Sequence, residues 1–159
     1  TKVADNDFQG KFDKVLNFLS YRAHSEYEIN FYMLRKNWPE DVRGEIITKL
    51  KHLKLIDDED FARQWIAHRS FSRPAGKSLL KMELRKKGIT KEIIDRLLTE
   101  ERTAASEEIL AEKLCQKFLP RFKNLPVLEQ KNKFYGLLLR KGFSSSTAEE
   151  VIDKLLEKE

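Results

Sequence analysis

The sequence is poor in the residues that cross-link or break a chain. Its 159 residues include one cysteine, four prolines and six glycines. The single cysteine, Cys115, excludes an internal disulfide, and its place in a helical pattern predicts a buried, inert thiol. No apolar run approaches the roughly 20 residues of a membrane-spanning helix, and no signal peptide is recognisable. These absences indicate a cytoplasmic protein with no membrane partner. The start at Thr1 instead of Met indicates a processed or shortened chain.

The alternation typical of a β-strand is missing as well, and apolar residues recur at helical spacing almost throughout. A first helix is predicted over residues 8–22. Ser25 and Glu28 have the spacing of a capping box, in which each side chain accepts a backbone N–H of the other residue, and they predict the start of a second helix. A third helix is predicted from Pro39, with one buried apolar face: Val42, Ile46, Ile47, Leu50 and Leu53.

Similar signals predict the helices of the rest of the chain. Asp57 opens a run of four acids, which is better explained as an N-cap at the positive end of a helix than as a calcium loop. A later helix is expected to begin near Ser106, to bury Ile109 and to end at Pro120. The other expected boundaries are Pro74, Gly88, Thr90, Pro126, Gly142 and residues 144–147.

One short phrase occurs three times, each time before a helix. It is LRKNW at residues 34–38, LRKKGI at residues 84–89 and LRKGF at residues 139–143. Gly88 stands 51 residues after Asn37, and Gly142 stands 54 residues after Gly88. Such a period marks tandem repeats that bury one another's apolar faces. We therefore predict an all-α fold of three tandem three-helix repeats, at residues 1–56, 57–104 and 105–159, in an elongated, curved array.

Residues with catalytic or metal-binding chemistry are present but not grouped. The three histidines are dispersed and no second cysteine exists, so the spacing of a zinc site is absent. Residues 76–78, GKS, match only the end of a phosphate-binding loop, because Phe71 stands where that loop needs glycine. The sequence favours a protein that is not an enzyme and that uses neither a metal nor another cofactor.

Basic residues are concentrated in the middle of the chain. Charged residues make up 36% of the sequence, with a net charge of +5, whereas about 25% is average. Residues 70–91 contain one acid, Glu83, and seven basic residues: Arg73, Lys77, Lys81, Arg85, Lys86, Lys87 and Lys91. Steps of four residues place Lys77, Lys81 and Arg85 on one helix face, which predicts contact with phosphates.

The outer repeats carry cations at equivalent places: Arg35, Lys36, Arg140 and Lys141. If the repeats stack regularly, these clusters recur along one side of the array and can follow a phosphate backbone without reading bases. Aromatic residues are not interleaved with the basic residues, so stacking on single-stranded bases is expected to be secondary.

The central segment has a distinctive series of motifs. Residues 57–69 are DDEDFARQWIAHR, ending at Arg69; Gly76 follows, and residues 83–89 are ELRKKGI. Together these motifs resemble the RecX family of bacterial recombinase regulators. The resemblance implies a modulator of the RecA recombinase, most simply an inhibitor, that binds in the groove of the RecA–DNA filament and suppresses ATP hydrolysis and strand exchange.

On this hypothesis the binding residues are Arg69, Arg73, Lys77, Lys81, Arg85, Lys86 and Lys87, with Arg35, Lys36, Arg140 and Lys141 extending the surface. The expected partners are the RecA filament and, weakly and through phosphates, DNA; the protein itself is expected to be a monomer. The alternative is a sequence-non-specific DNA-binding protein or a helical interaction scaffold unrelated to RecA.

Overall fold

The structure is a computed structural model that describes residues 5–157. The described residues form nine α-helices and no β-strand. In chain order the helices are α1 (Asp5–Leu19), α2 (Glu26–Arg35), α3 (Glu40–His52), α4 (Asp58–Phe71), α5 (Lys77–Lys86), α6 (Lys91–Glu101), α7 (Ala104–Phe122), α8 (Val127–Arg140) and α9 (Ser145–Glu157). The all-α prediction and the count of three helices per repeat are confirmed.

The chain divides into two compact units. Unit 1 contains the described residues up to Ala62 together with Lys87–Ile89. Its core is formed by the inner faces of the first three helices and by a residue of the segment between α3 and α4: Phe12, Val15, Ile29, Met33, Val42, Ile46, Leu50 and Ile56. Burying such side chains stabilises a fold by about 1.5 to 3 kcal/mol each.

Unit 2 contains Arg63–Lys86 and the described residues from Thr90 onward. The helices α5 and α6 bury Leu80, Leu84, Ile94, Leu97 and Leu98. The helices α7 to α9 share a separate cluster: Leu110, Ala111, Leu114, Cys115, Phe134, Leu137, Leu138, Phe143, Ala148, Val151 and Ile152. The thiol of Cys115 is buried, as predicted.

Most predicted helix starts are confirmed by their hydrogen bonds. The hydroxyl of Ser25 accepts the N–H of Glu28 at 3.2 Å, and the carboxylate of Glu28 accepts the N–H of Ser25 at 3.1 Å, which is a complete capping box. A carboxylate oxygen of Asp57 accepts the N–H groups of Glu59 and Asp60 at 2.9 and 3.2 Å. These caps satisfy donors that the first turn of a helix leaves without partners.

The residues that end the middle helix of each repeat have positive φ angles. Asn37, Gly88 and Gly142 have φ values of 60°, 78° and 89°. This left-handed conformation ends a helix and favours glycine or asparagine. The equivalence of these three positions was predicted from the repeated phrase. A fourth left-handed residue, Lys54 at φ 57°, was not predicted, because lysine carries no such signal.

Pro120 does not end a helix, contrary to the prediction. It lies inside α7, which continues to Phe122. The ring of Phe122 stacks on Phe118 at 6.0 Å and meets Phe134 edge-on at 5.1 Å. This aromatic packing offsets the hydrogen bond that proline removes from the last turn.

Two apolar residues expected in the core are exposed. Ile109 is 65% exposed, because it lies outside the buried apolar face of α7, which consists of Leu110, Ala111, Leu114 and Cys115. The helix also begins at Ala104 rather than near Ser106. Leu53 is 48% exposed. It follows the last residue of α3 and precedes the left-handed Lys54, so it no longer lies on the buried helix face. The first helix also ends earlier than expected, at Leu19.

Candidate nucleic-acid interface

The cations of residues 73–86 form one set, which we name the basic stripe: Arg73, Lys77, Lys81, Arg85 and Lys86. Four of them lie on α5. Leu80 and Leu84 are fully buried on the same helix, so the rotation of α5 is set by the core. As a result Lys81, Arg85 and Lys86 are exposed to solvent, while Lys77 at the helix start is half-buried.

Three cations of the stripe are unneutralised. Arg73, Arg85 and Lys86 are exposed, and none of them pairs with a carboxylate of the described residues. Lys81 lies 3.9 Å from a carboxylate oxygen of Asp95, with both side chains about half exposed. An exposed pair at that distance contributes little, roughly 0 to 1 kcal/mol. Lys81 is therefore available to a more favourable anion.

Arg69 has a structural partner. Its Nε donates to Oε1 of Glu83 at 3.0 Å, and Trp65 donates its indole N–H to the same oxygen at 3.3 Å. The side chain of Arg69 is only 13% exposed. Glu83, the one acid of residues 70–91, is thus neutralised by Arg69 and does not reduce the charge of the stripe.

Lys87 is also paired, within unit 1. Its Nζ donates to a carboxylate oxygen of Glu28 at 3.1 Å, and Arg22 donates to that carboxylate at 2.6 Å. Burial raises the pKa of Glu28, but the hydrogen bonds from Arg22, the N–H of Ser25 and Lys87 lower it to about 2 overall. Glu28 is therefore ionised at neutral pH and holds Lys87 in place.

The start of α5 rests on a buried ion pair. Arg102, only 2% exposed, donates from NH1 to Glu107 at 3.2 Å and to the carbonyl of Ala75 at 2.8 Å. The positive charge of Lys77 also acts on the Glu107 carboxylate and favours its charged form. Burial lowers the pKa of Arg102 and raises the pKa of Glu107. The pair joins the segment before α5 to α7 and so positions the basic stripe.

The cations of the third repeat lie beside the beginning of the stripe. Gly76 donates its N–H to the carbonyl of Lys141 at 2.7 Å, and Ser78 donates to the carbonyl of Gly142 at 3.2 Å. The residues next to these contacts are Lys77 on one segment and Arg140 on the other. In unit 2, therefore, the two predicted basic clusters adjoin through backbone hydrogen bonds.

The two predicted cations of the first repeat are exposed. The guanidinium carbon of Arg35 lies 5.9 Å from the ring centre of Phe31, and the Nζ of Lys36 lies 5.5 Å from that of Tyr32. Neither pairs with a carboxylate of the described residues. The two cations were predicted as part of the basic surface, but their contacts with aromatic side chains were not predicted.

The roles of Arg102 and Glu107 were not predicted either, because nothing local in the sequence distinguishes a buried charge from an exposed one. The only signal was the helix start at Thr103, whose side chain caps α7. Among residues 5–157, no three His, Cys, Asp or Glu side chains come together as metal ligands. No helix in the same part of the chain has the length and hydropathy to cross a membrane.

The tandem three-helix domains define an all-α helical-repeat protein. The models of the first, second and third three-helix domains of RecX match residues 12–50, 57–98 and 107–152. The chain therefore belongs to the RecX family, which is a family of regulatory proteins and not of enzymes. Each match falls inside one of the three repeats predicted above, whose outer boundaries stay a prediction.

Individual relatives agree with this assignment. The chain is 33% identical to the regulatory protein RecX of Mycolicibacterium smegmatis over 143 residues, which is 86% of this chain and 74% of that protein. It is 33% identical to the regulatory protein RecX of Chlorobium phaeobacteroides, covering 96% of this chain and 98% of that protein. The crystal structure of RecX from Lactobacillus salivarius superposes with a TM-score of 0.85 at 28% identity, covering 96% and 98% of the two chains.

Proposed function

We propose that this protein inhibits the RecA recombinase by binding in the groove of the RecA–DNA filament, where it suppresses ATP hydrolysis and strand exchange. Membership of a family of regulatory proteins named RecX supports a regulatory role. The observation that carries the proposal is the basic stripe, whose Arg73, Arg85 and Lys86 have no carboxylate partner among the described residues. Unpaired exposed cations release counterions when they meet phosphates, and this release drives binding.

Several weak contacts suffice for such binding. A chain of tandem domains meets more than one site on a repeating filament, and each further contact becomes intramolecular after the first, which raises the overall affinity. The basic stripe and the adjoining Arg140 and Lys141 supply one group of contacts. Arg35 and Lys36 supply another, from unit 1. The contribution of Arg69 and Lys87 is smaller, because their charges are satisfied by Glu83 and Glu28.

The test is a charge reversal in a RecA ATPase and strand-exchange assay. The sequence suggests Lys77, Lys81 and Arg85 as targets, but Lys77→Glu also brings a carboxylate near Glu107 and disturbs the start of α5. The triple variant Lys81→Glu, Arg85→Glu and Lys86→Glu avoids that contact. We expect it to lose inhibition of both activities while keeping its helical content by circular dichroism.

A matched control reverses three exposed cations elsewhere: Lys14, Lys123 and Lys131. It changes the net charge by the same amount, so any difference between the two variants reports position rather than total charge. Equal inhibition by the stripe variant and the control would refute the assignment. Binding of free DNA by the unmodified protein without any effect on RecA would favour the alternative, a DNA-binding protein unrelated to the recombinase.

A further inference from the structure

We propose that one face of α2 is a stacking site for the unpaired bases of single-stranded DNA. The face consists of Tyr27, Phe31 and Arg35, which follow one another at steps of four and therefore lie on successive turns. We name it the α2 column. The inference does not depend on the filament proposal, because it concerns unit 1 and a ligand without RecA.

The three flat groups of the column are arranged in series. The rings of Tyr27 and Phe31 have centres 6.5 Å apart and planes 15° from parallel. The guanidinium of Arg35 follows, 5.9 Å from the ring centre of Phe31. Stacked bases follow one another at about 3.4 Å, so a base between two flat groups needs roughly twice that separation. The ring spacing of the column is close to this requirement.

The column is exposed although its members are apolar or planar. Tyr27 is 54% exposed and Phe31 is 51% exposed, which leaves the ring surfaces accessible without unfolding. Exposed neighbouring aromatic side chains beside a cation are the composition of sites that bind single strands, where rings stack on bases and cations meet phosphates. Paired bases in a duplex offer only their edges, so a single strand is the matching ligand.

The position of Tyr27 is held by its surroundings. The backbone of Gly88 packs against it so closely that a Cβ on Gly88 would overlap the Cβ of Tyr27. The capping box of Ser25 holds the first turn of the same helix. The column therefore has a defined geometry before any ligand binds, which reduces the entropy lost on binding.

The charges around the column also favour a nucleic acid. Of the acids near its N-terminal end, Glu26 pairs with Lys51 at 3.0 Å and Glu28 with Arg22 at 2.6 Å. Asp58 accepts the backbone N–H of Glu26 at 2.9 Å. At the other end, Arg35 and Lys36 have no carboxylate partner among the described residues. This end of the column is therefore positive, as a phosphate backbone requires.

The experiment compares a fluorescent oligothymidylate of about 20 nucleotides with an abasic oligonucleotide of equal length and charge, using anisotropy at fixed salt. The variant is Tyr27→Leu with Phe31→Leu, which keeps apolar bulk against Gly88 and removes the rings. We expect it to bind the oligothymidylate at least about tenfold more weakly and the abasic strand as well as the unmodified protein does. The control variant is Tyr21→Leu, at a tyrosine that is 78% exposed and lies outside the column. It should change the affinity for neither strand.

A second variant, Phe31→Trp, gives a positive signal if the double variant fails to fold. Stacking of a base on the new indole quenches its emission, so the oligothymidylate should quench this variant and the abasic strand should not. The proposal is overturned if the double variant binds oligothymidylate as tightly as the unmodified protein does. It is also overturned if the double variant loses the same amount of affinity for the oligothymidylate and for the abasic strand. Loss of RecA inhibition with unchanged DNA binding also overturns it, because the column is then a protein-docking face.

Discussion

Gly76 donates its backbone N–H to the carbonyl of Lys141 at 2.7 Å, a bond between residues of different repeats. A similar bond exists in unit 1, where the hydroxyl of Ser25 donates to the carbonyl of Lys87 at 2.6 Å. Lys87 and Lys141 occupy the same place in the repeated phrase, directly before a left-handed glycine. In both cases a carbonyl in the turn after one middle helix accepts a hydrogen bond from the residue directly before another middle helix. In the second and third copies of the phrase, the turn is therefore a contact point between segments.

The first prediction concerns Gly142. Its φ of 89° disfavours any residue with a Cβ, and a Cβ there would also overlap Leu79. We expect Gly142→Ala to lower the free energy of unfolding by more than the roughly 1 to 2 kcal/mol of the backbone penalty alone. Gly44→Ala is the control, since Gly44 lies within α3 with nothing within 4 Å of its Cβ position; it should stabilise by about 0.5 to 1 kcal/mol. Denaturant titrations measure both, and a tolerated Gly142→Ala would contradict the close contact.

The second prediction concerns the buried pair of Arg102 and Glu107. Arg102→Met leaves Glu107 buried without its partner, and we expect unit 2 to lose about 3 to 5 kcal/mol of stability. The double variant Arg102→Met with Glu107→Leu should lose much less, because burial disfavours the charged form of both residues. Denaturation of the two single variants and the double variant gives the coupling energy. Strictly additive losses would show that the two charges do not interact.

The third prediction concerns acid stability. The pKa of Glu28 is about 2 in the folded chain against an ordinary value of 4.5. A carboxyl with a lowered pKa stabilises the fold at every pH above its ordinary pKa of 4.5. This stabilisation is lost as the pH falls from 4.5 toward the folded-state pKa of about 2. Its size is on the order of 2 kcal/mol. The variant Glu28→Gln should have a lower free energy of unfolding at neutral pH. It should also lose less of that free energy than the unmodified protein as the pH falls from 4.5 to about 2. An unchanged pH profile of unfolding would contradict the role of Glu28.

The fourth prediction concerns Cys115. Burial raises the pKa of its thiol to about 12, so almost no thiolate exists at neutral pH, and the side chain is closed to solvent. A thiol reagent should therefore react with the folded protein far more slowly than with protein in denaturant. Rapid labelling under native conditions would show that the third domain opens on the timescale of the reaction.

The fifth prediction concerns the salt dependence of DNA binding. Each phosphate contact contributes about 0.7 to 0.9 to the slope of log affinity against log salt. Arg85→Gln with Lys86→Gln should therefore reduce the slope by roughly 1.4 to 1.8. Lys87→Gln should reduce it much less, because Lys87 is paired with Glu28. A slope that is unaffected by the double variant would place the DNA elsewhere.

Local features of the chain predicted a large part of the fold. The capping box at Ser25, the N-cap at Asp57 and the left-handed glycines each depend on residues within a few positions of one another, and all are found. Pro120 shows the limit of such signals. Its effect on α7 depends on Phe122 meeting Phe134, and the distance in sequence hides that contact.

For the basic residues, what the sequence determines can be separated more clearly from what the tertiary structure decides. Their helical spacing and their lack of nearby acids were determined by the sequence alone, because both follow from a period of 3.6 residues and from composition. Which cations stay free was decided by the tertiary structure: Lys87 meets a carboxylate 59 positions away and Arg69 one 14 positions away, whereas Arg85 meets none among the described residues. The reason is physical, since the Coulomb attraction that neutralises a cation depends on distance in space, and folding sets that distance.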